Sequence, residues 1–97
     1  MPFANALVRG QHFDKHRSEF SFVDEFEYEA AADMFVQTYL KDPVRECTRS
    51  NGDIVRFDRR SRNLAVVAPS GFLKTFHRPS DKFRDLGYFK WECQFIR

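Results

Sequence analysis

The 97-residue chain reads as one α+β domain spanning residues 1–97, with two amino-terminal helices packed on one face of a four-stranded antiparallel meander. Two observations predict this. Apolar residues recur at three- and four-residue steps up to about residue 40, and at two-residue steps after Pro43. Short turn-forming segments then divide the second half into strand-length pieces, and helices followed by strands are the pattern of an α+β layer.

The first element is a helix from Asn5 to about Arg17, with Leu7, Val8, Phe13 and Phe20 as candidate core contacts and Gly10 as a weakening residue. In the second, Asp24 and Glu27 have the spacing of a capping box. Tyr28, Ala31, Ala32, Phe35, Val36 and Tyr39 then mark one apolar face. Four acids from Asp24 to Glu29 crowd its first turns, where the helix dipole favours negative charge. About four turns are expected, with Asp42-Pro43 as the stop.

Val44 to Arg49 is the first strand. Ser50-Asn51-Gly52-Asp53 is a hairpin turn, with positive φ expected at both Asn51 and Gly52. Ile54 to Phe57 returns, Asp58 to Asn63 turns again, and Leu64 to Ala68 forms a more buried third strand. Pro69-Ser70-Gly71 leads into Phe72 to Arg78, ended by Pro79. Tyr88 to Trp91 is either a fifth edge strand or a short helix. Phe35, Phe57, Phe72 and Phe76 are assigned to the core, and Trp91 to core or edge packing rather than to a base platform. With both helices on one face, the other is expected to stand open to solvent as a basic cradle.

Twelve Phe point to a core of bulky rings, and 42% apolar residues argue against disorder. No apolar run approaches the roughly 18 residues of a membrane span, and no hydrophobic stretch follows a basic start. Cys47 and Cys93 suit neither a zinc knuckle nor a redox motif, and two buried free thiols are preferred to one disulfide. Net charge is only +2, but it is segregated. Six acids and no Lys or Arg lie from Glu19 to Asp33, whereas Arg45 to Arg62 holds six Arg against three acids. Such a basic block can attract polyanions.

The chemistry-bearing set is Gln11-His12-Phe13-Asp14-Lys15-His16. Two imidazoles and an ammonium within five residues supply proton transfer near neutrality and a cation for a phosphorane-like transition state. His12 and His16 could begin a zinc site, but no HExxH or CxxC pattern completes it, so no metal or cofactor is expected. Strand alternation puts Thr75 and His77 on one face, with Phe76 opposite.

Taken in order, His12-Phe13-x-Lys15-His16 with Glu19-Phe20, the acidic helix with Ala31 to Phe35, Cys47 to Asp58, Leu64 to Val67, Gly71 to Pro79 and Tyr88-Phe89 resemble the toxin-type ribonucleases of the Barnase–EndoU–colicin–RelE-like superfamily. The likeness is to the colicin D-like and contact-dependent-inhibition toxin branch. It implies a metal-independent endoribonuclease that cleaves tRNA by 2′-hydroxyl transesterification in the cytoplasm (that of a target cell if a longer secreted parent chain delivers it), and a neutralising acidic immunity protein or antitoxin. It maps the catalytic Lys-His pair onto Lys15 and His16, with His16 as general acid/base. A phosphate-binding hydroxyl maps onto Thr75, and a base-stacking or second proton-transfer side chain onto His77. His12, Arg56 and Arg78 are further candidates for catalysis or phosphate binding. The family pattern carries Gly after the pair, where this chain has Arg17. The other reading is a non-catalytic nucleic-acid-binding or protein-interaction module on the same fold.

Overall fold

The computed structural model describes residues 2–38, 40–79 and 87–94. In chain order they form helix α1 (Ala6–His16), a single 3-10 turn (Arg17–Glu19), helix α2 (Glu25–Gln37), strands β1 (Val44–Thr48), β2 (Ile54–Asp58), β3 (Leu64–Val67) and β4 (Leu73–His77), and helix α3 (Gly87–Gln94). The strands pair antiparallel in the order β1-β2-β3-β4, the meander expected of an α+β domain. Tyr88 to Trp91 is helical, so the sheet has four strands. No helix among the described residues is long and apolar enough to cross a membrane.

Both amino-terminal helices start where their caps place them. The Asn5 side chain accepts the Val8 amide at 2.9 Å, and Asp24 accepts the Glu27 amide at 2.9 Å. Gly10 faces α2, where a Cβ would stand 3.1 Å from a Glu25 carboxylate oxygen. α2 stops at Gln37, five residues before the expected Asp42-Pro43 stop. Arg56, from β2, donates to the carbonyls of Phe35 and Thr38 and so takes up the helix's last acceptors. Tyr39, expected on the apolar face of α2, lies outside the described residues.

The two Gly-containing hairpins share one design. Gly52 N–H donates to the Arg49 carbonyl and Arg49 N–H to the Asp53 carbonyl, and Ala68, Gly71 and Phe72 repeat the pattern. Only the final glycine of each turn has positive φ, +94° at Gly52 and +95° at Gly71. Asn51 therefore does not share the left-handed conformation. Its side chain instead accepts the Asp53 amide at 3.0 Å, giving a three-residue loop rather than a two-residue one. A side chain at Gly52 would also collide with Pro69, 2.8 Å from the Cβ position.

The chief departure is the second face of the sheet. On one face α1 and α2 bury Phe13, Tyr28 and Ala32 against Ala65, Val67, Leu73 and Phe76. The opposite face, expected to be open, carries Val55, Phe57, Leu64 and Val66, and α3 covers it through Phe89. Phe57 and Phe89 stack at 5.9 Å. Sequence alternation sends β3 side chains to both sides, and every residue of β3 is buried. Cys47 faces this second layer and is joined to Cys93 of α3 as a disulfide, which replaces the expected pair of free thiols. Arg49 fastens the helix again. It donates to the Glu92 carbonyl and carboxylate at 2.7 and 3.0 Å and to Asp53 at 3.2 Å, while Lys74 meets Asp53 at 2.8 Å.

Two expected core residues are outside it. Leu7 is 70% exposed and Phe72 42% exposed, on the outer face of α1 and at the tip of the third hairpin. Phe3 takes up core volume instead. Its segment bridges β4, with Leu73 N–H donating to the Pro2 carbonyl at 2.9 Å and Phe3 N–H donating to Glu29 at 3.0 Å.

Candidate active site

β4 is the last strand of the sheet, and α1 packs beside it. Phe76 turns into the helical layer, where the Tyr28 hydroxyl donates to its carbonyl, so Thr75 and His77 face the other way. The last turn of α1 then brings His16 onto His77, their rings stacked with centroids 5.0 Å apart. Lys15, His12, Arg78, Pro79 and Tyr88 complete the wall of a hollow of about 270 Å³. Residues 60 positions apart in sequence thus converge on one concave surface.

Glu19 organises it. One carboxylate oxygen lies 2.9 Å from His16 Nδ1 and the other accepts the Arg78 amide at 2.6 Å. A carboxylate only accepts, so Nδ1 of His16 carries a proton, and the neutral imidazole would then have its lone pair on Nε2. The 3-10 turn after α1 makes this possible, because it sets Glu19 three residues beyond His16 on the same side. On β4, the Thr75 hydroxyl lies 3.3 Å from His77 Nδ1. Tyr88 meets the His77 ring edge-on at 5.7 Å, and His12 stacks on His16 at 6.1 Å. Lys15 and Arg78 outnumber Glu19, so the hollow carries a positive surplus even with neutral imidazoles.

The sequence-predicted residues divide cleanly. His12, Lys15, His16, Thr75, His77 and Arg78 all line the hollow. Arg78 is also a bracket: its guanidinium donates to Asn63 at 3.0 and 3.1 Å and to the Glu19 carbonyl at 3.2 Å, over the Phe20 ring. Arg56 is elsewhere. It is buried under the end of α2, paired with Glu46 at 2.9 Å, and does not line the hollow. Arg17 stands over Phe13 at 4.9 Å, outside the hollow's lining.

The broad basic cradle is also revised. Arg49 is paired with Asp53 and Glu92, Arg56 with Glu46, and Arg45 and Arg59 with Asp42. Acids within or beside the basic block thus pair with four of its six guanidiniums, so the block is not an open cationic face. Among the described residues no three His, Cys, Asp or Glu side chains gather as metal ligands.

Two lining residues had been given no role from the sequence. Glu19 counted towards the acidic block and the resemblance but received no function, although an acid three residues after a helical His is a readable signal. Tyr88 had none, because its placement depends on α3 crossing the sheet. Compared with known proteins, the chain is matched by no family model and by no curated protein.

Proposed function

We propose that this chain is a metal-independent endoribonuclease acting at the hollow between α1, β4 and α3. The observation that carries the reading is the stacked His16–His77 pair beside Lys15 and Thr75, with Glu19 holding one imidazole by its Nδ1. RNA supplies its own nucleophile, the ribose 2′-hydroxyl next to each phosphorus. A protein that moves two protons and stabilises the extra charge therefore suffices.

In this reading Nε2 of His16 removes the 2′-hydroxyl proton, and Glu19 stabilises the imidazolium that forms. His77, beside it in the hollow, protonates the departing 5′-oxygen. Lys15 places its ammonium against the non-bridging oxygens, and Thr75 donates its hydroxyl to one of them. The products are a 2′,3′-cyclic phosphate and a 5′-hydroxyl. By the family resemblance the substrate is tRNA and the enzyme is a toxin. Its neutralising immunity protein or antitoxin would present acids to the Lys15–Arg78 hollow, where the charge surplus lies, in competition with RNA.

The test is RNA cleavage in EDTA. The parent chain should cut, and His16→Ala and Lys15→Ala should not, while circular dichroism shows both folded. Salt-sensitive RNA binding by the parent with no new RNA ends would instead favour a non-catalytic binding module.

A further inference from the structure

A row of rings leads out of the hollow. Phe3 stacks on His12, His12 on His16 and His16 on His77. Tyr88 then meets His77 at 5.7 Å and leans on Trp91 at 5.5 Å. The first five rings are buried or half-buried, whereas Trp91 at the end is 49% exposed. Of the expected core or edge packing, the fold gives the edge: Trp91 rests on Tyr88 with half of its surface in solvent. α3 presents Trp91 on its outer side together with Lys90, also exposed. The helix's single acid, Glu92, is turned inward and fully buried against Arg49. Among the described residues, the outer face of α3 thus carries a half-exposed ring and a cation, and the helix's own carboxylate points away from them.

We propose that Trp91 is a stacking platform for an unpaired nucleobase next to the phosphate held in the hollow. This rests on the reading that RNA occupies the hollow, and it narrows the substrate class to single-stranded or looped RNA. Every base has a π-face, so a platform of this kind accepts any sequence, but a base inside a duplex has both faces covered and cannot use it. One ring, Tyr88, separates the His16–His77 pair from Trp91, by centroid steps of 5.7 and 5.5 Å. Lys90, exposed beside it in the chain, supplies a cation for a neighbouring phosphate.

Trp91 is the only tryptophan in the chain, so its fluorescence reports the platform directly. The probe is a single-stranded 2′-O-methyl oligoribonucleotide, which cannot undergo transesterification. Its abasic counterpart and its duplex serve as controls. The single strand should quench Trp91, and both controls should quench it far less. With cleavable RNA, Trp91→Ala should lower kcat/KM for single-stranded substrate by about ten-fold or more, and Trp91→Phe should keep most of it. Equal quenching by the abasic strand, no quenching by any strand, or parental kcat/KM in Trp91→Ala would overturn the platform. If base-dependent quenching occurs but the parent cuts no RNA, the cleavage reading fails and the platform stands. If RNA is cut without quenching, the platform fails and cleavage stands.

Discussion

Replacing Glu19 by Gln tests how the hollow is organised. The two carboxylate oxygens have separate tasks: one accepts the Arg78 amide at 2.6 Å, and the other sits 2.9 Å from His16 Nδ1. Gln keeps the size and still offers one oxygen. If that oxygen stays on the Arg78 amide, the NH₂ group faces Nδ1 and forces the proton onto Nε2, where it blocks the base. If the amide flips, His16 is satisfied but loses the negative charge that stabilises its imidazolium. Glu19 is 29% exposed at its side chain, so the loss should resemble that of an outer partner of a reactive His rather than of a fully buried one. A fall in kcat of about 10- to 100-fold is expected, with KM nearly unchanged. The assay is steady-state cleavage of a fluorescent oligoribonucleotide in EDTA, with urea midpoints to show that the variant is folded. A folded Glu19→Gln chain cutting at the parental kcat would refute the assigned role.

Three further expectations concern the scaffold. Arg56→Met should leave cleavage unchanged but destabilise by about 2–3 kcal/mol, because it strands the Thr38 carbonyl and Glu46 and leaves the Phe35 carbonyl with only the Thr38 amide; urea unfolding measures it. Burial opposes ionisation of Asp53, but hydrogen bonds from Lys74, Asn51 and Arg49 outweigh it and hold its carboxyl below the ordinary 3.8. Its contribution is therefore present above about pH 4 and lost as pH falls through the lowered value, so Asp53→Asn should flatten the acid limb of stability against pH. Burial pushes the Tyr28 phenol well above its ordinary 10, so its contribution is present below about pH 10 and lost as pH rises beyond it. Tyr28→Phe should cost about 1–2 kcal/mol at neutral pH through the lost bond to Phe76 and should reduce the alkaline loss, both read by thermal unfolding.

What the sequence made legible was local. Asp24 caps its helix through the amide three residues on, α1 starts just after Asn5, and Gly52 supplies the positive φ of its turn. Two-residue alternation turns Phe76 away from Thr75 and His77. Each of these is decided within a few residues. The misreadings came from long-range partners. The Val55, Phe57, Leu64 and Val66 face is apolar enough to demand a cover, but nothing local says that α3 supplies it. Once α3 lies there, Cys93 reaches Cys47 and Glu92 reaches Arg49. Arg56 reads as a surface cation until α2 is known to end above it. Leu7 and Phe72 show the converse, since apolar residues at a helix or hairpin surface have no partner to bury against.

The account stands on His16 and His77 acting as one unit on one phosphate, and a double-mutant comparison tests this most directly. We would measure kcat in EDTA for the parent, His16→Ala, His77→Ala and the double variant, all confirmed folded. The account predicts that each single change abolishes nearly all cleavage and that the double variant is scarcely slower than either. Losses that simply multiply, or a single variant cutting at the parental rate, would contradict it.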